Sequence, residues 1–341
     1  MSANFKNPRA QHNFIGRTCS ISGVGSYLPE RILTNADLEK MVETTDEWIT
    51  TRTGIKERRI AADGEFTSDL AAKAALRAMK MAGVTADQID LIIVASITPD
   101  MPFPNTACLV QQKIGARRIP AFDLEAACSG FIYALEVGQN FIMARSCETV
   151  LVIGAEKLSS ITNWTDRNTC VLFGDGAGAA VLQHRPAAHG LLTTVLGADG
   201  GKAGLLSMPG GGSACPATAA SVLQGLHFLR MDGKETFKNA VQAMCSAANE
   251  ALQRCDLKVA QIKCIIPHQA NRRIVDAVGE RLGATPEQLF INLHKYGNTS
   301  AASVAIALDE AVHSGKIQRG DLILIVAFGA GLTWGAAVIE W

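Results

Sequence analysis

At 341 residues the chain is longer than most single hydrophobic cores support, and it reads as two packed units. It is 48% hydrophobic and only 19% charged, and Lys+Arg balance Asp+Glu at 32 each, so no global field draws it to nucleic acid or to an anionic membrane. No apolar run is long enough to cross a bilayer, and the polar start MSANFKNPRAQHNF lacks the apolar stretch of a secretory signal, which points to the cytoplasm.

Residues 1–15 read as a loosely ordered extension. Beyond them, helix-period and strand-like runs alternate. SDLAAKAALRAMKMAG (68–83) predicts a helix, DLIIVASI (90–97) a strand, GFIYALEVGQNFIMAR (130–145) a helix, and ETVLVIGAEKL (148–158) and AGAAVLQ (177–183) strands. The second part repeats the order: helix 235–255, strand KCIIPH (263–268), helix 300–315, strands DLILIVAFG (321–329) and WGAAVIEW (334–341). With Gln88 set against Gln261, Ile89, Ile92 and Ile93 meet Ile262, Ile265 and Ile266, and Ala134-Leu135 meets Ala307-Leu308. The fold class is therefore α/β, with two similar halves, 16–185 and 215–341, packed about a pseudo-twofold axis. Residues 200–228 match no motif and are candidates for shaping a pocket or its entrance.

Nine cysteines without a C-x-x-C pair, most of them inside apolar runs, read as reduced thiols and not as a disulfide frame or a zinc site. The seven histidines show no metal-ligand spacing. The glycine runs at 23–25, 173–180 and 209–213 are neither a dinucleotide fingerprint nor a phosphate loop, and read as tight turns.

The repeat singles out three polar groups. Cys128, in EAACSGF, starts a helix of the first half. Asn298, in YGNTSAAS, lies just before the equivalent helix of the second, and His268, in CIIPHQAN, ends a strand. Sites in open α/β sheets collect at strand C-termini and helix N-termini. A helix N-terminus eases thiol ionisation and a nearby imidazole would help, so the expectation is a thiolate nucleophile at neutral pH. Taken singly, Cys128 could be a small buried hydrophobe, His268 a core histidine and Asn298 a turn or cap. His294, in a polar loop, is a competing histidine.

Together, DEWITTRTGIKERR, AACSGFIYAL, TDRNTCVLFGDGAGAAVL, IIPHQANRRI, YGNTSAASVAIALDEA and FGAGLTWGAAV resemble the β-ketoacyl-acyl carrier protein synthase III family, from about residue 16 to the C-terminus. These are the initiating condensing enzymes of fatty acid synthesis. The resemblance implies a thiolase-like fold, layered α-β-α-β-α, and a Cys128–His268–Asn298 triad. Cys128 would take the acyl group of an acyl-CoA primer, acetyl-CoA first among them. The backbone N–H groups of Cys128 and Ala330 would form its oxyanion hole. His268 and Asn298 would stabilise the enolate formed when malonyl-acyl carrier protein loses carbon dioxide, and Phe328 would wall that pocket. For coenzyme A the resemblance points to Trp48 and Arg167 around the adenine, Arg52 on the pyrophosphate side, and Asn271 and Gly233 along the pantetheine arm. For an acidic carrier protein it points to Arg273, with Arg272, Lys238 and Arg281 as further candidates. Phe103 would reach a partner's acyl pocket in a homodimer. No cofactor is implied, because acyl-CoA is a substrate.

Other readings stay open. Cys, His and Asn also occur in chalcone-synthase-like enzymes, and a priming enzyme or acyltransferase of polyketide or quinolone-type metabolism fits the same triad. A silent scaffold homologue and a cysteine hydrolase are further alternatives. Elongating condensing enzymes carry a second histidine where this chain has Asn298.

Overall fold

The computed structural model describes residues 18–185 and 190–341; the extension expected at residues 1–15 lies outside them. In the first half, β1 (Cys19–Tyr27) leads to a ribbon of β2 (Arg31–Thr34) and β3 (Glu57–Ile60) enclosing α1 (Asn35–Leu38) and α2 (Asp46–Thr53). Then come α3 (Thr67–Ala82), β4 (Leu91–Ala95), α4 (Thr106–Lys113), β5 (Ala121–Leu124), α5 (Gly130–Met143), β6 (Thr149–Glu156), α6 (Arg167–Cys170) and β7 (Gly176–His184). The second half runs β8 (Leu191–Ala198), β9 (Leu206–Ser207), α7 (Ala219–Leu223), β10 (Arg230–Met231) and α8 (Gly233–Arg254). It ends with β11 (Cys264–Pro267), α9 (Arg272–Leu282), α10 (Leu293–Tyr296), α11 (Ala302–His313), β12 (Leu322–Gly329) and β13 (Thr333–Glu340).

Two sheets carry the repeat. Their orders are β1-β7-β6-β4-β5 and, read in the matching direction, β8-β13-β12-β11. Each has the same hand-over from parallel to antiparallel pairing: β4 with β6 and β11 with β12 are parallel, while β6 with β7 and β12 with β13 are antiparallel. The register that sets Gln88 against Gln261 carries β6 onto β12 end to end. β8 pairs with β13, so the second sheet begins before the expected boundary at 215. In place of a fifth strand it has a single parallel bridge, Ile265 to Leu289.

The apolar runs are continuous because both faces of each sheet are covered. Along β4, Leu91, Ile93 and Ala95 enter a central core with α5 and α11, whereas Ile92 and Val94 face α3 and α4. Along β12, Ile323 and Ile325 enter the same central core, whereas Leu324 and Val326 face α8 and α9. The layers are thus helices, sheet, the α5/α11 pair, sheet, helices. The central helices press hard on the first sheet: a Cβ at Gly154 would lie 2.3 Å from the Ala301 carbonyl oxygen. This approach brings the N-terminal ends of α5 and α11, and with them Cys128 and Asn298, to one level. Among the described residues no helix is long and apolar enough to cross a membrane.

Candidate active site

After β5 the chain makes a 3₁₀ turn, Ala127–Ser129, that opens directly into α5. Ala127 takes φ 45°, in the left-handed region, at a cost of roughly 1–3 kcal/mol. The repeat has the same bend: Ser300, the mate of Ala127, takes φ 47°. A latch fixes the first bend. The Thr333 hydroxyl lies 2.9 Å from the carbonyl oxygens of both Ala126 and Ala330, and the Ser129 hydroxyl is 2.8 Å from Thr333 Oγ1. The end of β12 closes on the bend, since a Cβ on Gly329 would fall 2.6 Å from the Cys128 nitrogen. Ala330 thus follows a glycine in contact with the nucleophile's backbone. Ala330 itself needs no left-handed φ; Gly331 takes φ 130° instead.

Cys128 stands between two cavities. One, of about 390 Å³, is also lined by His268, Asn298, Phe328, Trp48 and Arg273. The other, of about 570 Å³, is lined by Ala330, Ile97, Leu158, Phe173 and Ser300, together with Ala203, Leu206, Ser207 and Met208 from the segment that matched no motif. That segment therefore shapes a pocket at the nucleophile. His294 is exposed and does not line the cavity that holds His268.

His268 follows β11, its N–H bonded to the Val326 carbonyl at 2.7 Å. It is 3% exposed, and burial pushes its imidazole down to about 3, so the ring is neutral at physiological pH. Ser303 Oγ accepts from the Gln269 N–H at 2.8 Å and lies 3.0 Å from His268 Nδ1. The network assigns the serine proton to Nδ1, which leaves the ring proton on Nε2 as a donor toward the cavity. Gln269 braces this loop: its amide donates to Pro267 and Phe290 carbonyls, and its oxygen accepts from the Asn292 and Leu293 N–H groups. Asn298 Oδ1 accepts from the Ser300 N–H at 2.8 Å, so its NH₂ is left for the cavity.

The expected thiolate is corrected. Burial pushes the Cys128 thiol up to about 12, and the buried Glu156 carboxylate adds to the rise, while the Ser300 hydroxyl opposes it. The neutral imidazole supplies no positive charge to offset the burial of the thiol. The resting pair is thiol and neutral imidazole. All nine cysteines are free.

At the mouth, α2 is capped by Thr45, whose side chain accepts from the Trp48 N–H, and it ends at Gly54 with φ 75°. A Cβ there would lie 2.5 Å from Arg272 Cβ, so α2 seats on the start of α9. Asn271 caps α9 through the Arg273 N–H at 2.8 Å and ties it to the Arg52 carbonyl at 3.1 Å. Arg52 and Arg167 each stack on the Trp48 ring at 5.0 Å. A base sandwiched between Trp48 and Arg167 must therefore displace a guanidinium already there, which is also held to the Glu43 carbonyl at 2.8 Å. Gly233 opens α8 beside the cavity. Arg273 lies over the Phe237 ring, whereas Arg272 is paired with Asp276 at 2.7 Å. Lys238 is exposed on α8, and Arg281 is exposed near the far end of α9, about 12 Å from Arg273 along the helix. Phe103 is 84% exposed.

Sequence reasoning did not reach Ser303, Gln269, Ser300 or Glu156. Glu156 carried a signal all the same: a lone carboxylate closing an apolar strand at the end where sites collect.

Comparisons with known proteins show the family. The family description 3-oxoacyl-[acyl-carrier-protein] synthase III matches residues 122–200, and its C-terminal counterpart matches residues 252–341. The β-ketoacyl-[acyl-carrier-protein] synthase III of Caldanaerobacter subterraneus is 58% identical over 94% of this chain and 97% of its own. The solved structure of the Aquifex aeolicus synthase III is 48% identical, covers 95% of this chain and 100% of that one, and superposes with a TM-score of 0.88. The priming β-ketosynthase of the R1128 polyketide pathway is 36% identical over 95% of this chain and 96% of that one, with a TM-score of 0.87. With its thiolase-like fold, this chain belongs to the β-ketoacyl-acyl carrier protein synthase III family.

Proposed function

We propose that the chain primes fatty acid synthesis by condensing an acyl-CoA with malonyl-acyl carrier protein through an acyl group held on Cys128. The observation that carries this is a pair of oriented donors, His268 Nε2–H and the Asn298 NH₂, in the cavity that also reaches Cys128. Cys128 sulfur attacks the thioester carbonyl, and the oxyanion draws on the Cys128 and Ala330 N–H groups. Coenzyme A departs as its thiol, the proton lost by Cys128 balancing the one it takes up, and leaves the acyl chain in the cavity of about 570 Å³. Malonyl-carrier protein then enters the other cavity. Its carbon–carboxylate bond breaks, carbon dioxide leaves, and the electron pair becomes a thioester enolate whose oxygen is held by His268 and Asn298. Phe328 keeps water away from the carbanion. The enolate carbon attacks the acyl-cysteine, giving a 3-oxoacyl-carrier protein and freeing the sulfur. Each step runs on groups of this chain and its substrates, and none calls for a cofactor.

Trp48, Arg52, Arg167, Asn271 and Gly233 form the coenzyme A entrance in this reading, and the reduced cysteines suit the cytoplasm. A homodimer is part of it, since the exposed Phe103 beside the exposed Met101 suits a surface that a second copy covers. The likeness to a polyketide priming enzyme bears on which primer is taken and where the product goes, not on the bond-making steps.

The test is a reconstitution with acetyl-CoA and malonyl-carrier protein, read by carbon dioxide release and by the mass of the carrier-bound product. The expected product is the 3-oxo thioester, and hydrolysis of acyl-CoA without chain extension would sink the proposal. In the same assay Arg273→Glu should raise the KM for malonyl-carrier protein by about tenfold, with KM for acetyl-CoA little changed. Arg272→Glu should do less, because Asp276 already offsets that charge.

A further inference from the structure

Arg58, on β3, is fully buried, and the reaction above gives it no task. Its guanidinium meets three neutral oxygens. Nη1 donates to the Leu33 carbonyl at 3.3 Å and to Asn35 Oδ1 at 2.8 Å, and Nη2 donates to the Val171 carbonyl at 2.6 Å. Its Nε has no hydrogen-bond partner among the described residues. An apolar side chain of similar volume often costs a fold less than a buried charge held this way. What Arg58 does is therefore to be sought in the segments it joins.

The Val171 carbonyl opens the segment that carries Asn298. Phe173 and Asn298 form a parallel bridge: the Asn298 N–H donates to the Leu172 carbonyl at 2.8 Å, and the Gly174 N–H donates to the Asn298 carbonyl at 3.0 Å. Both backbone groups of Asn298 are thus tied to 172–174, which starts one residue past the oxygen that Arg58 holds. The Arg58 stem lies against a glycine on each strand of the bridge. A Cβ on Gly174 would come 3.0 Å from Arg58 Cβ, and one on Gly297 would come 3.4 Å from it and 2.7 Å from the Leu172 carbonyl oxygen. On its other side the guanidinium is anchored to α2 through Asn35, whose NH₂ donates to Asp46 Oδ1 at 2.7 Å and to the Ile55 carbonyl at 2.9 Å. His268 and Cys128 are held from elsewhere. The first depends on the Val326 carbonyl and Ser303, and the turn of the second depends on Thr333.

We propose that Arg58 is a positioning residue for Asn298: it fixes 171–174 against the frame of α2 and so sets where the Asn298 amide meets the enolate oxygen. A guanidinium suits the task, because it bonds several oxygens in one fixed plane and its charge strengthens each bond. The amide serves an oxygen whose charge develops in the transition state, and a misplacement of about 1 Å there costs on the order of 10²-fold in rate.

This inference rests on the enolate role given to Asn298. The experiment is release of labelled carbon dioxide from malonyl-carrier protein, with acyl uptake read beside it by intact mass. Arg58→Met removes the donors, and Arg58→Lys keeps the charge but replaces the planar fork with a single ammonium. Each should slow carbon dioxide release by roughly 10–10²-fold and acyl uptake by less than about threefold. The background should decide the size of the effect. In His268→Ala the Arg58 substitution should cost the same factor, whereas in Asn298→Ala it should cost less than about threefold, since no amide remains to be misplaced. A role in folding alone would slow both half-reactions together, or slow carbon dioxide release equally in both backgrounds. Either result, or a folded Arg58 variant with wild-type carbon dioxide release, overturns the positioning. If Arg58→Met does not fold, Arg58→Lys decides alone. An Asn298→Ala protein that releases carbon dioxide at the wild-type rate overturns the enolate role, and the positioning with it.

Discussion

Cys128→Ala should fold and lose acyl uptake from acyl-CoA by at least about 10⁴-fold, because no other group is placed to form the covalent intermediate. The sulfur lies where the turn 127–129, the end of β12 and both cavities meet. Losing one sulfur atom from so small a side chain should cost about 1 kcal/mol of stability, so the loss of activity can be separated from loss of fold by a melting curve. Cys128→Ser should be nearly as inactive, since a buried hydroxyl is harder to ionise than a buried thiol. A Cys128→Ala protein that still accumulates acyl-enzyme at the wild-type rate would remove the nucleophile from the account.

His268→Ala and Asn298→Ala should each slow release of carbon dioxide from malonyl-carrier protein by roughly 10²–10³-fold, the value of one oriented donor to a developing oxyanion. Acyl uptake should change by less than about tenfold, because neither donor serves that oxyanion. The two half-reactions are read separately, one by intact mass and the other by labelled carbon dioxide. Burial holds His268 neutral down to about 3, so decarboxylation should show no imidazole limb near the ordinary 6.5. Equal loss of both half-reactions in both variants would contradict the division of labour. Ser303→Ala should resemble a mild His268 defect, because it frees Nδ1 to hold the ring proton.

The doubled architecture was legible where strands are covered on both faces. The runs at 90–97, 148–158 and 321–329 carry their burial in their composition, and the register drawn from Gln88 and Gln261 is the register of the sheets. β1 and β8 were not legible, because CSISGVGSY and LLTTVLGA interrupt the apolar pattern with serine, glycine and threonine. That is why the second sheet starts earlier than expected. Cys128, His268 and Asn298 were legible because the repeat fixes which strand and helix ends meet. The ionisation of Cys128 was not. The helix N-terminus is a local feature that sequence displays, whereas desolvation depends on what the other half places on top. Ser300 and Glu156 escaped notice for a related reason: one is a serine among serines, and the other is a carboxylate whose partners come from residues 96–98 and 300–301.

In the proposed reaction one particular sulfur among nine free thiols carries the primer. The most direct measurement mixes the protein with acetyl-CoA in the absence of malonyl-carrier protein, quenches, and maps the acetyl group by peptide mass. One acetyl group per chain is expected, on Cys128, discharged when malonyl-carrier protein is added. Acetyl spread over other cysteines, or an acetyl-Cys128 that malonyl-carrier protein leaves untouched, would contradict it.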